Sequence, residues 1–99
     1  MSHSFAIDIV EEDVQLTLVE LCRASRAPED QVHTWVVEGV LVPEGDTPAE
    51  WRFHGAALRR ARRAFTLTRE LEINTPGVAL ALDLMEEIEA LKANLRRLR

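Results

Sequence analysis

Hydrophobic residues along the first part of this chain recur at helical spacing. Thr17 and Glu20 stand three residues apart, just before the apolar Leu21 and Cys22. In this capping-box arrangement the threonine hydroxyl and the glutamate carboxylate each accept a hydrogen bond from the other residue's backbone amide. The pattern therefore predicts a short helix over about residues 17–25.

A second helix is predicted shortly after the first. Pro28 suits the first turn of a helix, because the hydrogen-bond donor that proline lacks would have no partner there. Val32, Trp35 and Val36 then form one apolar face, and Gly39 suits a left-handed stop. Two short helices joined by a few residues predict a helix-turn-helix.

Two β-prone runs follow the second helix. They are Val40–Val42 and Trp51–Phe53, and the segment between them is rich in turn-forming residues from Pro43 to Pro48. The pattern predicts a small β-hairpin, the wing of a winged helix-turn-helix.

The rest of the chain predicts two more helices. The third covers Leu58–Leu71. The fourth is capped by Asn74, begins at Pro76 and extends nearly to Leu98. At 1.5 Å per residue its length is roughly 34 Å. The candidate core residues of the third helix are Leu58, Ala61, Arg62, Phe65 and Leu71.

The fourth helix has apolar residues spaced alternately by four and three positions, a coiled-coil seam with charged flanks. A chain of 99 residues has little else to cover such a seam, so we expect it to form a homodimer. The seam residues are Leu84, Ile88, Leu91, Leu95 and Leu98.

The predicted organisation is one domain in three parts. These are an N-terminal arm over residues 1–13, the winged helix-turn-helix with the third helix over 14–75, and the long C-terminal helix over 76–99. The fold class is mainly α.

Charge divides the chain into unlike halves. Residues 1–50 hold eleven acidic and two basic side chains, a net −9, whereas residues 51–99 carry a net +4. The acidic half would repel nucleic-acid phosphates and attract basic protein surfaces. Four arginines at positions 59, 60, 62 and 63 are the strongest basic feature, and we expect them to pair with Glu70, Glu72 or acids of the first half.

Nothing in the sequence has the pattern of an active site. His3, His33 and His54 are isolated, no metal-ligand spacing or phosphate-binding glycine loop occurs, and Cys22 is the single cysteine. The longest apolar run is too short to span a membrane. We expect a cytoplasmic protein that is not an enzyme and has no cofactor or metal.

One segment resembles a known family. Arg69–Leu91, with the sequence RELEINTPGVALALDLMEEIEAL, together with the predicted winged helix-turn-helix, is similar to MerR-type regulators and, among them, to the chaperone modulatory (CbpM) family. The resemblance covers roughly residues 17–98. It implies a MerR-like winged helix-turn-helix with a small β-hairpin wing and a long C-terminal dimerisation helix.

The second helix departs from the DNA-binding members of that superfamily. Their second helix typically reads Leu-Arg-x-Tyr-Glu-x-x-Gly-Leu. Aligned through Gly39, this chain has His33 in place of the arginine and Val36 in place of the glutamate, and it has no Lys or Arg on this helix. DNA contact is therefore disfavoured. A DNA-binding regulator remains the alternative, and its candidate contacts are Arg52, Arg59, Arg60 and Arg63.

The resemblance implies a protein partner. CbpM-like proteins bind the J-domain of a DnaJ-like co-chaperone of the CbpA type and inhibit its co-chaperone and DNA-binding activities. A J-domain engages its Hsp70 partner largely through a basic helix, which an acidic module would cover. Candidate partner-binding residues are Glu29, Asp30, Glu38 and Trp35, although core packing is the better interpretation of Trp35. A dimeric anti-activator of another protein is a third possibility.

Overall fold

The chain folds as four helices and one small sheet in the computed structural model, which describes residues 14–98. The predicted arm over residues 1–13 lies outside the described residues. The mainly α fold class is confirmed. In chain order the elements are β1 Gln15–Leu16, α1 Leu18–Ser25, α2 Glu29–Val37, β2 Phe53–His54, α3 Gly55–Glu70 and α4 Thr75–Arg97.

The predicted capping box at the start of α1 is confirmed. The Thr17 amide donates to Glu20 Oε1 at 2.9 Å, and the Glu20 amide donates to Thr17 Oγ1 at 3.2 Å. Pro28 is the cap residue just before α2, so its predicted place in the first turn is wrong by one position. Gly39 has a φ of +82°, the left-handed conformation that ends this segment of helix.

The strand pairing differs from the predicted hairpin. The wing is closed only by one antiparallel pair, Glu44 with Arg52. Residues 40–42 form no strand, because the amides of Val40 and Leu41 donate to the Trp35 carbonyl at 2.7 Å and 3.2 Å. Those donors complete the end of α2 and are not available to a β ladder.

The ladder that does form is antiparallel and joins β1 to β2. Leu16 is paired with Phe53, and Gln15 is paired with His54. This pairing brings the residues before α1 beside the start of α3. The helix-turn-helix and the wing thus begin and end at the same two-stranded sheet.

The core lies among α1, α2 and α3 and continues to the first part of α4. Trp35, Phe53, Leu21, Leu82 and Val78 are among its largest fully buried side chains. Leu58 and Ala61 are buried as predicted. Leu71 was expected in the core, but α3 ends at Glu70 and the Leu71 side chain is 64% exposed. The helix also begins three residues earlier than predicted, at Gly55.

The start of α4 is held by its predicted cap. Asn74 Oδ1 accepts a hydrogen bond from the Gly77 amide at 2.9 Å. A Cβ on Gly77 would lie 3.1 Å from that same oxygen and 2.6 Å from Ile73 Cγ2, so glycine leaves the cap room. Val78 and Leu82 pack in the core, whereas the later turns of α4 are mostly exposed.

Candidate protein-binding surface

The outer face of α2 is acidic. Val32 and Trp35 point into the core, which leaves the opposite face of the helix in solvent. The predicted contact residues Glu29, Asp30 and Glu38 are all exposed. The helix Glu29–Val37 contains no Lys or Arg, so its surface presents negative charge without a compensating cation of its own.

A shallow depression occupies the N-terminal end of this face. It measures about 510 Å³ and is lined by Glu29, Asp30, His33 and Thr34. The two carboxylates lie in the first turn, where the helix dipole stabilises negative charge. The His33 ring packs against Trp51 with centroids 5.3 Å apart, so the wing flanks α2 here. This end of the helix is suited to a cationic side chain.

Trp35 does not belong to this surface. Its side chain is completely buried, and the indole Nε1 has no hydrogen-bond partner among the described residues. A partner cannot reach it in this fold, so its candidacy as a partner-binding residue is wrong and its interpretation as a core residue is confirmed. The apolar face that it shares with Val32 packs in the core instead.

Cys22 also has no chemical role that the structure supports. It is half-buried on α1. Burial raises the pKa of the Cys22 thiol, and the nearby charge of Glu29 raises it further. The thiolate is the reactive form, so this cysteine is a poor nucleophile at neutral pH.

The arginines of α3 are bound to carboxylates of α4. Arg60 contacts Asp83 Oδ1 at 3.1 Å and Glu86 Oε2 at 2.6 Å, and Arg63 contacts Glu89 Oε2 at 2.6 Å. The partners predicted from the sequence, Glu70, Glu72 or acids of the first half, are therefore wrong for these two arginines.

The other candidate DNA contacts differ in how they are held. Arg52 is exposed, and its Nη1 donates to the Trp51 carbonyl at 2.8 Å. Arg59 is exposed. Arg62, which is not one of the candidates, donates to the Ala24 carbonyl at 3.4 Å. A cation already paired with a carboxylate gains less from a phosphate, so the pairing of Arg60 and Arg63 weakens the DNA-binding alternative.

Sequence reasoning missed the acids of α4, although a signal was present. Asp83, Glu86 and Glu89 recur at every third position, and Arg60 and Arg63 have the same separation. Residues three apart lie on one face of a helix, so each set forms a row of like charge that can meet the other row when the helices pack. The hydrogen bond between Arg63 and Glu89 lowers the pKa of Glu89 and raises the pKa of Arg63.

The apolar seam of α4 lies open to solvent. Its five predicted residues are between 51% and 82% exposed, and Leu80, one turn earlier, is 61% exposed. Leu80 lies four positions before Leu84, so it extends the seam toward the start of the helix. We call Leu80 together with the five predicted residues the α4 stripe.

Residues 14–98 contain neither a candidate metal site nor a candidate membrane span. No cluster of three histidine, cysteine or acidic side chains could hold a metal ion. Within the same residues no helix combines the length and the apolar character needed to cross a bilayer.

The chain is similar to one family of known proteins. The model of the MerR HTH family regulatory protein matches residues 16–99. A chaperone modulatory protein CbpM from Coxiella burnetii is 39% identical over 90 residues, covering 91% of this chain and 85% of the relative. Proteins of the same name from Pseudomonas putida and Pseudomonas entomophila are 42% and 41% identical over 80 residues, each covering 81% of this chain and 79% of the relative.

Proposed function

This chain belongs to the MerR HTH family of regulatory proteins and, within it, to the chaperone modulatory proteins CbpM, and we propose that it modulates a chaperone by binding a protein and not by catalysis. The proposed target is the J-domain of a DnaJ-like co-chaperone of the CbpA type. The consequence is inhibition of that co-chaperone's stimulation of Hsp70 and of its DNA binding. The proposed compartment is the cytoplasm.

The acidic outer face of α2 is the observation that carries this proposal. Glu29 and Asp30 are exposed on a helix without basic residues, and the exposed C-cap residue Glu38 adds a third carboxylate. A J-domain reaches its Hsp70 partner through a basic helix, so this face complements the surface that must be blocked. Charge complementarity both accelerates such an encounter and rejects acidic competitors.

The mechanism is occlusion. A bound acidic module covers the basic helix of the J-domain and leaves Hsp70 no access to it. No bond is made or broken, so the degree of inhibition follows the occupancy of the complex. Stronger binding would mean stronger inhibition at equal concentration.

We also propose that the α4 stripe is the contact between two copies of this chain. A contiguous row of leucine and isoleucine at this exposure is unusual for a monomer and typical of a helical interface. Charge along α4 favours an antiparallel pair, because Glu87 precedes the basic Lys92, Arg96 and Arg97, and only an antiparallel arrangement places unlike charges opposite each other.

Calorimetric titration of the full chain with an isolated CbpA-type J-domain tests the proposed target. Glu29→Lys/Asp30→Lys reverses the charge of the depression, and we expect affinity to fall at least about tenfold, because like charges placed together across an interface are strongly unfavourable. Glu29→Gln/Asp30→Asn should lower the affinity less. This neutral variant also tests whether lysine at the positive end of the helix dipole disturbs the start of α2.

The matched control is Glu70→Lys/Glu72→Lys. It makes the same change in net charge at the exposed end of α3 and the turn that follows it, outside α2. Equal losses in both double variants would show that net charge and not α2 governs binding. If the parent ignored the J-domain but bound duplex DNA with a steep salt dependence, the proposal would be overturned in favour of a DNA-binding regulator.

A further inference from the structure

The outer face of α2 carries an apolar residue in line with its acids. Val37 is 71% exposed at the last position of the helix. Residues seven apart on a helix lie on nearly the same line, so Asp30 and Val37 both occupy the middle of the exposed face. At 1.5 Å per residue they are separated by about 10 Å along the axis.

The alignment with Asp30 on one face of α2 distinguishes Val37 from an ordinary surface valine. A single exposed apolar side chain needs no explanation by itself. Here the acidic depression is at one end of a solvent-facing helix and the valine is at the other end of the same face. A desolvated apolar contact beside polar and charged contacts is the usual composition of a protein interface.

We propose that the outer face of α2 docks a single amphipathic helix of the partner, with Lys or Arg at the Glu29–Asp30 end and an apolar side chain against Val37. This inference rests on the proposed function and specifies the partner surface that it requires. The partner's basic and apolar residues are then about two helical turns apart. Charge complementarity selects the basic end, because the first turn of α2 carries two carboxylates and no Lys or Arg.

The two contacts contribute to affinity in different ways. Contacts of the carboxylates with cations weaken as salt screens them. An apolar contact at Val37 is insensitive to screening and, like other buried apolar surface, makes the heat capacity of binding more negative. The proposed arrangement therefore separates salt dependence, carried by Glu29 and Asp30, from a salt-independent part carried by Val37.

Val37→Thr tests the apolar contact. Threonine has nearly the same shape and is also branched at Cβ, so α2 keeps its helical preference while one methyl becomes a hydroxyl. The control is Val19→Thr on α1, the same replacement at a valine that is 55% exposed. Both variants and the parent are titrated with the isolated J-domain at low and high salt and at two temperatures.

We expect Val37→Thr to weaken binding about five- to tenfold at both salt concentrations, because a buried methyl is lost and a hydroxyl is desolvated. The heat-capacity change should become less negative, and Val19→Thr should match the parent. If the parent binds and Val37→Thr matches Val19→Thr, the docking arrangement is overturned while the proposed function stands. If the parent does not bind the J-domain at all, the proposed function fails first.

Discussion

Arg60 donates a hydrogen bond from Nε to the carbonyl oxygen of Val40 at 2.6 Å. The same guanidinium contacts Asp83 and Glu86, so one side chain on α3 connects the segment after α2 with α4. Its planar fork of donors reaches three acceptors in three directions, which a lysine ammonium on a single stem does less well. Together with the core packing of Val78 and Leu82, this arginine therefore holds α4 in place relative to α2.

Arg60→Ala should destabilise the protein. The Arg60 side chain is only 19% exposed, and its removal leaves the Val40 carbonyl without this donor. We expect the free energy of unfolding to fall by about 1–3 kcal/mol, measured by urea denaturation. Arg23→Ala, at an exposed position on α1, is the control and should change it by less than about 0.5 kcal/mol. Equal effects of the two variants would contradict a connecting role for Arg60.

Glu89 makes stability depend on pH in the acidic range. Its hydrogen bond to Arg63 lowers the pKa of Glu89 in the folded protein. A lowered folded pKa stabilises the protein above the ordinary glutamate value, about 4.3, and that contribution is lost as pH falls through the folded value. The urea midpoint of the parent should exceed that of Glu89→Gln at pH 7, and the difference should shrink below about pH 4. A difference that is constant over this range would be the contrary result. The effect should also decline with added salt, since this glutamate is exposed.

Asn74→Ala should loosen the start of α4. The lost acceptor leaves the Gly77 amide without its cap, and we expect a loss of about 1 kcal/mol in the free energy of unfolding. Asn74→Asp keeps an acceptor and adds a charge that the helix dipole favours, so it should stay near the parent. Thermal denaturation of the three proteins decides this, and an Asp variant as weak as the Ala variant would argue against the capping role.

Leu91→Glu should convert the proposed dimer into a monomer. Leu91 lies in the middle of the α4 stripe, and a carboxylate there would be buried against its counterpart without a partner. Ala90→Glu places the same charge on an exposed position beside the stripe and should leave the dimer intact. Sedimentation equilibrium at micromolar concentration distinguishes the two states, and a parent that is already monomeric would refute the dimer.

Local signals predicted the helices well. The capping box at Thr17 and the Asn74 cap are decided by residues three positions apart, and both are present in the structure. The strand pairing was missed because it depends on the partner of Phe53, which is Leu16, far away in sequence. Leu71 was misplaced because apolar spacing continues past the residue at which α3 ends.

The sequence predicted the acidic residues of the candidate surface but not its apolar residue or the partners of the arginines. Glu29, Asp30 and Glu38 are exposed as expected, and Trp35 is inaccessible, as its helical spacing with Val32 and Val36 indicated. The arginine partners escaped prediction, since ion pairs between packed helices depend on their relative placement. Nothing in the sequence pattern marks Val37 as a contact residue. It becomes a candidate only because the structure shows it exposed and in line with Asp30.

The pairing of Leu16 with Phe53 also bears on the order in which the elements form during folding. It closes a loop that contains α1, α2 and the wing. Closing a long loop has an entropic cost before any contact compensates for it, whereas each helix gains hydrogen bonds from its own neighbours. The two-residue sheet should therefore be among the last elements to form in refolding and the first to open in the native state. The strand Gln15–Leu16 would then pair with β2 only after the helices that follow it have packed.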